Sequence, residues 1–589
     1  MAYGGYWTVA RLRPGVTPAR AMARLDVATA RLERDDPGDW KNVSAVVIPL
    51  RDQLVGDARR PLLLVLGAVG CVLLVACANV ANIQLARAVA RRREVAVRLA
   101  LGAGRGRLVR QLLTESVLLA LAGGALGLAL AFVGVPLLVS LGGAELPRVA
   151  EIGVNVRVLG ATLLASVVTG VTFGLAPALQ SVRRASSAAM KAADDTIEVA
   201  GAHRLAGDVL VVAQVAMTMV LLAGAALLGV SFARLVRNDP GFAPDHVLVA
   251  KLVLDDTRHA GREPTLAFTR DVVRRLRAIP GVTDAAATTG TPLAAGALGD
   301  ASVVDAPAPT EPPTVTLFTA ADASYFHTLG IPLRRGRLLT DDAAAERDAV
   351  VVNEAFARHF LPGLDPIGRH ARFYGNVDGT IVGVVGDTKG LALDQPAPPH
   401  IYQSFAAAPA SYLRLVVRSA GDPSLVAGPV RAAIRAVDPS LPVDELSTMR
   451  AMMAESLTRQ RFYATLLVVF ATSALVMATA GVFGVVSYGV TRRTRELGVR
   501  VALGATTGDV VRLVVGRGGR LAATGIALGA LAAVWATRAL RGMLYEVAPS
   551  DPRVLAGVAA LLALVALAAA WIPGRRAGRV DPARVLRAD

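Results

Sequence analysis

ARRREVAVRLALGAGRGRLVRQLL, residues 90–113, returns as TRRTRELGVRVALGATTGDVVRLVV, residues 491–515. Arg93, Glu94, Arg98, Ala100, Leu101, Gly102, Ala103 and Arg110 recur 402 positions later as Arg495, Glu496, Arg500, Ala502, Leu503, Gly504, Ala505 and Arg512. Each copy stands between two long apolar runs. A basic helix at matched places beside apolar runs describes a duplicated membrane machine with two equivalent docking points. From Arg91 onward the spacing turns Val95, Leu99 and Leu101 toward lipid or protein and several arginines toward water. Charge and amphipathicity alone would anchor such a helix at a bilayer surface. A Gly-Ala at one fixed position is more than an anchor needs. It ends the helix and admits a close neighbour.

Outward from these segments the chain is a membrane protein. Of its 589 residues 53% are hydrophobic, and the mean hydropathy is +0.49. Seven runs are long enough to cross a hydrocarbon core as helices: Leu62–Ala86, Ser116–Leu141, Val158–Leu179, Val209–Val230, Ala464–Val490, Leu521–Leu540 and Val554–Ile572. The net charge of +17 comes almost wholly from arginine and collects beside these runs. That is the positive-inside bias and not a nucleic-acid footprint. Residues 87–110 carry eight arginines and one acidic residue, and residues 491–520 carry seven arginines. These loops and the basic C-terminus are therefore expected in the cytoplasm, and residues 1–60 and 232–461 outside the cell membrane.

The expected plan is a remnant of an external domain (1–60), three spans (61–180), a cytoplasmic linker (181–205), a fourth span (206–231), a full external domain (232–461), three more spans (462–573) and a basic tail (574–589). Asp36-Pro37 repeats as Asp438-Pro439 at the same offset. Each ends a helical pattern that follows a short strand pattern, YWTVARL in the first copy and YLRLVVR in the second. Residues 1–60 thus read as the tail of a domain whose full form is the second, and a missing N-terminal piece is the expected reason. In the full domain HVLVAKLVL, TVTLFTA, DAVVVN, GTIVGVVGD and YLRLVVR read as strands. LAFTRDVVRRLRAI, EAFARHFL and SLVAGPVRAAIRAV read as helices. Two α+β subdomains are expected there.

Catalytic chemistry finds little support. No Gly-Lys occurs, so there is no P-loop, and the chain is not itself an ATPase. Its seven histidines and two cysteines, Cys71 and Cys77, form no metal-ligand spacing. No cofactor is expected. Asp255-Asp256 and Asp341-Asp342 read as solvated turns. Two features concern helix packing. Gly123 and Gly127 recur as Gly525 and Gly529 and would let helices approach closely in both halves. Asn79 and Asn82 share a helix face near the inner end of the first span, as interhelical hydrogen-bonding groups or as part of a polar path. No span carries a charged residue near its centre, so ion or proton relays have no candidates.

The basic segment with the following TES, together with ACANVANIQLARA, NDPGF, VVNEAFARHFLPGLDPIGRHARF and IVGVVGDTKG, resembles the FtsX-like/MacB-like permeases of ABC transporters, in the duplicated form known as orphan permeases. The resemblance covers nearly the whole chain. It implies a polytopic α-helical membrane protein of two four-span permease halves, the first span missing, plus an extracytoplasmic α+β domain in the inner membrane. It implies a separate cytoplasmic ATPase dimer that meets Arg93–Ala103 and Arg495–Ala505. Its motion would pass through the spans to the external domain in efflux or mechanotransmission. A periplasmic adaptor or substrate protein would act outside. The second segment has Thr506, Thr507 and Asp509 where the first has Gly104, Arg105 and Arg107, so unequal docking points are expected. The rival reading is an ATP-independent scaffold or sensor whose external domain binds a ligand or partner protein.

Overall fold

The computed structural model describes residues 8–35, 46–90, 104–142, 155–169, 195–255, 261–304, 315–373, 377–443, 445–492 and 505–578, with a few single residues between them. Its helices in chain order are α1 (Pro18–Asp35), α2 (Leu50–Ala90), α3 (Arg105–Gly142), α4 (Val156–Thr169), α5 (Asp195–Arg237), α6 (Arg262–Arg277), α7 (Tyr325–Leu329), α8 (Glu354–Phe360), α9 (Pro423–Val437), α10 (Met449–Ser456), α11 (Thr458–Arg492), α12 (Thr507–Ala536) and α13 (Pro552–Ala577). A turn of 3-10 helix, Thr537–Met543, follows α12 directly. The chain divides into two compact units, residues 1–54 with 237–458, and residues 55–236 with 459–589.

In the membrane unit, α2, α3, α5, α11, α12 and α13 are, among the described residues, the six helices long and apolar enough to cross a bilayer. The expected span Val158–Leu179 is described only as far as the apolar helix α4. α5 is the hub. Its Val211, Val215 and Met219 pack with Val482 and Val486 of α11 and Leu562 and Ala570 of α13. Its Leu221, Ala225 and Leu228 pack with Ala68 of α2 and Ala471 and Ala474 of α11. The sixth expected span began at Leu521, but α12 begins at Thr507. Arg512, Arg517 and Arg520 are therefore on a helix and not in a loop.

The other unit is sheet-rich. Its strands are β1 (Val247–Val253), β2 (Val282–Thr288), β3 (Ala297–Gly299), β4 (Ala301–Val303), β5 (Thr316–Ala321), β6 (Leu333–Gly336), β7 (Ala349–Asn353), β8 (His370–Phe373), β9 (Val377–Val385), β10 (His400–Ser404), β11 (Tyr412–Ser419) and β12 (Leu446–Thr448). All lie in one sheet, in the order β12-β1-β11-β2-β5-β10-β7-β9-β8-β4, with β3 on β5 and β6 on β9. The two expected subdomains are two lobes of this sheet, which meet where β2 and β5 pair only at Thr288 and Ala321. The first lobe is antiparallel. The period of two in β1 sends Leu248, Ala250 and Leu252 to the core under α6 and α9, and Val247 and Val249 to the opposite core. The second lobe is mixed, with β5 parallel to β10 and β7 parallel to β9. Phe356 and Phe360 of α8 cover it.

Three of the quoted motifs converge on Asp387. Its Oδ1 accepts from the Ala355 amide at 2.7 Å, and its other oxygen pairs with Arg358, both in VVNEAFARHF. Gly241 of NDPGF has φ +80° and passes so close that a Cβ there would lie 1.8 Å from the Asp387 carbonyl oxygen. Only glycine combines that dihedral with that approach. Lys389 N completes the junction by donating to Pro240 O at 3.1 Å.

Residues 1–60, expected as the remnant of a first external domain, depart in part from expectation. Residues 8–12 of the expected strand are irregular, and Tyr6 and Trp7 lie outside the described residues. The helix expected after it is present as α1 but has no buried residue. Its counterpart α9 buries Val426, Val430 and Ile434 against the sheet.

Candidate functional site

The two basic segments have matching geometry where they are described. Arg98 Nη2 lies 2.6 Å from Glu94 Oε1, and Arg500 Nη2 lies 2.9 Å from Glu496 Oε1. Both pairs are i,i+4 with the carboxylate toward the N-terminus, the favourable order on a helix. They are exposed, so each is worth only about 0.3–0.5 kcal/mol. They orient the arginines more than they stabilise the fold. Leu101 N donates to Val97 O at 3.0 Å, and Leu503 N to Val499 O at 3.0 Å. Both leucines then stand almost free of the protein, 82% and 83% exposed. Ala505 N closes the second segment on Arg500 O at 3.0 Å. Further along each segment a buried residue is again matched, Leu108 in one and Val510 in the other. Arg93, Gly102, Ala103, Arg495 and Gly504 lie outside the described residues.

The difference between the segments lies at a helix start. Thr506 caps α12, and its hydroxyl and the Asp509 carboxylate make a capping box, which satisfies two amides that the first turn leaves unpaired. The backbone start itself is common to both copies: Arg107 N and Leu108 N share the Gly104 carbonyl as Asp509 N and Val510 N share that of Thr506, so the second copy differs by its side-chain cap.

The spans leading to the two segments, α2 and α11, are joined by amides. Asn79 Nδ2 of α2 donates to Met477 O of α11 at 2.8 Å. Gln214 Nε2 of α5 donates to the same carbonyl at 2.9 Å. A Cβ on Gly481 would lie 2.3 Å from Gln214 Oε1 and 2.9 Å from Asn79 Oδ1, so glycine makes the room for both amides. Gly481 is the duplicate of Asn79 at the 402-residue offset. One copy supplies the side chain and the other the space. Asn79 is thus an interhelical bond, while Asn82 Nδ2 is buried with no partner among the described residues. Sequence reading missed Gln214. Its only signal is a lone amide in VVAQVAMTMVLL.

The glycine pairs part company. Gly525 would place a Cβ 2.7 Å from Val215 Cβ, and Gly529 one 2.7 Å from Ala216 O, so α12 lies tight on α5. Around Gly123 and Gly127 a Cβ meets nothing within 4 Å. The expectation of one shared contact is corrected for the first half. Among the described residues no helix fills there the place α5 fills in the second. Arg517 Nη2, expected as a loop charge, reaches both carboxylate oxygens of Asp208 at 3.0 Å and ties α12 to α5.

Residues 66–185 and 468–582 match the family model FtsX-like permease C-terminal, and residues 209–437 match MacB-like periplasmic core domain. The chain belongs to the FtsX-like/MacB-like permease family. Both FtsX-like matches contain one basic segment, and their starts differ by the same 402 positions. Over 258 residues the permease is 24% identical to the pyoverdine export ATP-binding/permease protein PvdT of Pseudomonas putida, covering 42% of this chain and 39% of that one. It is 41% identical over 262 residues to PvdT of Pseudomonas entomophila, again 42% and 39%. To the macrolide export ATP-binding/permease protein MacB of Bordetella avium it is 29% identical over 283 residues, 44% and 41%. The chain therefore spans about two fifths of the length of these relatives. The periplasmic region of MacB from Actinobacillus actinomycetemcomitans aligns over 38% of this chain and 97% of that one at 15% identity and a TM-score of 0.27.

Proposed function

We propose that this permease couples a separate cytoplasmic ATPase dimer to movements of its extracytoplasmic domain, in efflux or mechanotransmission, each ATPase subunit engaging one basic segment. The observation that carries this reading is the matched pair of projecting leucines, Leu101 and Leu503, each beside an oriented Arg-Glu pair. A fully exposed leucine costs free energy in water and gains it only when a partner covers it. Two such positions in register suit a partner that is itself twofold. The bilayer holds the spans, the segments and C-terminus face the cytoplasm of the inner membrane, and the sheet-rich domain works outside on an adaptor or substrate protein.

The test uses Leu101→Glu with Leu503→Glu. Neither leucine packs on the protein, so the fold and membrane insertion stay intact. Reconstituted with the cell's candidate ATPases, the wild-type permease stimulates ATP hydrolysis and the double variant does not. Equal stimulation by both would reduce the segments to anchors. The absence of any ATPase that binds the wild type would favour the scaffold or sensor role.

A further inference from the structure

α12 is 30 residues long, about 45 Å at 1.5 Å per residue. Its far end therefore lies at the membrane face opposite the second basic segment. There the chain tightens into the 3-10 turn Thr537–Met543. In a 3-10 helix residues i and i+3 eclipse, so Arg538 and Arg541 project to the same side. Both line a cavity of about 350 Å³ with Val534, Pro549 and Ser550. Among the described residues neither guanidinium has a carboxylate partner. The nearest acid in sequence, Glu546, is exposed and pairs with neither arginine among the described residues, and the next, Asp551, is occupied in capping α13 through the Arg553 amide at 2.9 Å.

Two further residues select the ligand. Leu531 and Trp535 are 71% and 76% exposed. At spacings of four and three, Leu531, Trp535 and Arg538 follow one helix face. An apolar stripe about 10 Å long thus leads along the span to a pair of unpaired guanidinium groups. Paired guanidinium groups fit the oxygens of a phosphate, and an exposed tryptophan near a span's end sits where chains meet headgroups. We propose that this cavity is a binding site for an anionic phospholipid. Arg538, Arg541 and Ser550 hold its phosphate, and an acyl chain lies on Trp535 and Leu531. A free phosphate would use the same arginines and leave the stripe uncovered.

The experiment places the full-length permease in nanodiscs of phosphatidylcholine with and without phosphatidylglycerol. It compares wild type, Arg538→Gln with Arg541→Gln, and Arg553→Gln, an exposed arginine of the same region outside the cavity. The readout is phosphatidylglycerol retained on extraction, measured by mass spectrometry, and the shift in melting temperature it produces. Wild type and the Arg553 variant retain the lipid and gain stability. The double variant retains roughly tenfold less, as losing charge-assisted hydrogen bonds implies, while melting as wild type does in pure phosphatidylcholine. Equal retention by wild type and double variant overturns the site. Full protection of the detergent-solubilised protein by glycerol 3-phosphate, at the concentration effective for phosphatidylglycerol, overturns the lipid assignment.

Discussion

Gly481→Ala is expected to destabilise the membrane unit, against the sign that helix propensity alone would give. In the middle of a helix, alanine in place of glycine gains about 0.5–1 kcal/mol. Here the added methyl carbon would lie 2.3 Å from Gln214 Oε1, 3.0 Å from Gln214 Cδ and 2.9 Å from Asn79 Oδ1. Both amides must swing off the Met477 carbonyl, which they reach at 2.9 and 2.8 Å. Interhelical hydrogen bonds in membranes average about 0.6 kcal/mol and reach about 1.7. Overpacking a filled core adds about 1–3 kcal/mol. The net loss is about 1–6 kcal/mol after the propensity gain. Gly484, one turn on, is the internal control, because a Cβ there meets nothing within 4 Å, and Gly484→Ala gains stability. Thermal unfolding in detergent, followed by tryptophan fluorescence, gives opposite shifts for the two variants. Gln214→Ala in the Gly481→Ala background removes the colliding amide and recovers part of the loss, so the two changes are non-additive. Equal melting temperatures for Gly481→Ala and Gly484→Ala would refute the clasp.

Gly529→Leu drives a side chain into Ala216 and Met219 of α5 and costs several kcal/mol, whereas Gly127→Leu is tolerated. The ratio of folded to aggregated protein after extraction reports both. Gly241→Ala strains a φ of +80° and meets the Asp387 carbonyl at 1.8 Å, so it opens the junction of the three motifs. Protease cleavage near Pro240 rises, and it stays at the wild-type rate if the reasoning fails. His400 is buried, and burial lowers its pKa from 6.5 to about 3. A depressed folded-state pKa gives stability present above pH 6.5 and lost as pH falls toward 3, at about 1.4 kcal/mol per unit. Amide exchange of β10 in the full-length protein therefore accelerates from pH 6.5 to 4 beyond its chemical rate. His400→Gln flattens that trend, and a pH-independent protection factor in the wild type would contradict the assignment.

The spans were legible because lipid imposes long uninterrupted apolar runs, and the duplication because its arginines sit outside them. Strands β1, β5, β7, β9 and β11 were legible as β-branched runs. VTDAAAT of β2 was not, since alanine carries little strand preference. Neither was HIYQS of β10, which follows the prolines at 398 and 399 and owes its place to β5 and β7 on either side. The strand expected at residues 6–12 has the right pattern but no neighbour to pair with among the described residues. At the helix seam the sequence named Asn79 and the glycine pairs. It could not say that Asn79 finds its space in Gly481, or that Gln214 completes the clasp. Those facts depend on which helices touch, and periodicity carries no such information. The changed residues Thr506 and Asp509 suggested unequal docking points, and sequence reading did not see that they form a capping box.

The central claim is that two basic segments dock an ATPase. The most direct measurement isolates the tagged permease from its native membranes in mild detergent, as wild type and as Leu101→Glu with Leu503→Glu, with the co-purifying proteins quantified by mass spectrometry. The account predicts a P-loop ATPase at two copies per wild-type chain and its loss from a folded double variant. An ATPase retained equally by both, or none with the wild type, would contradict it.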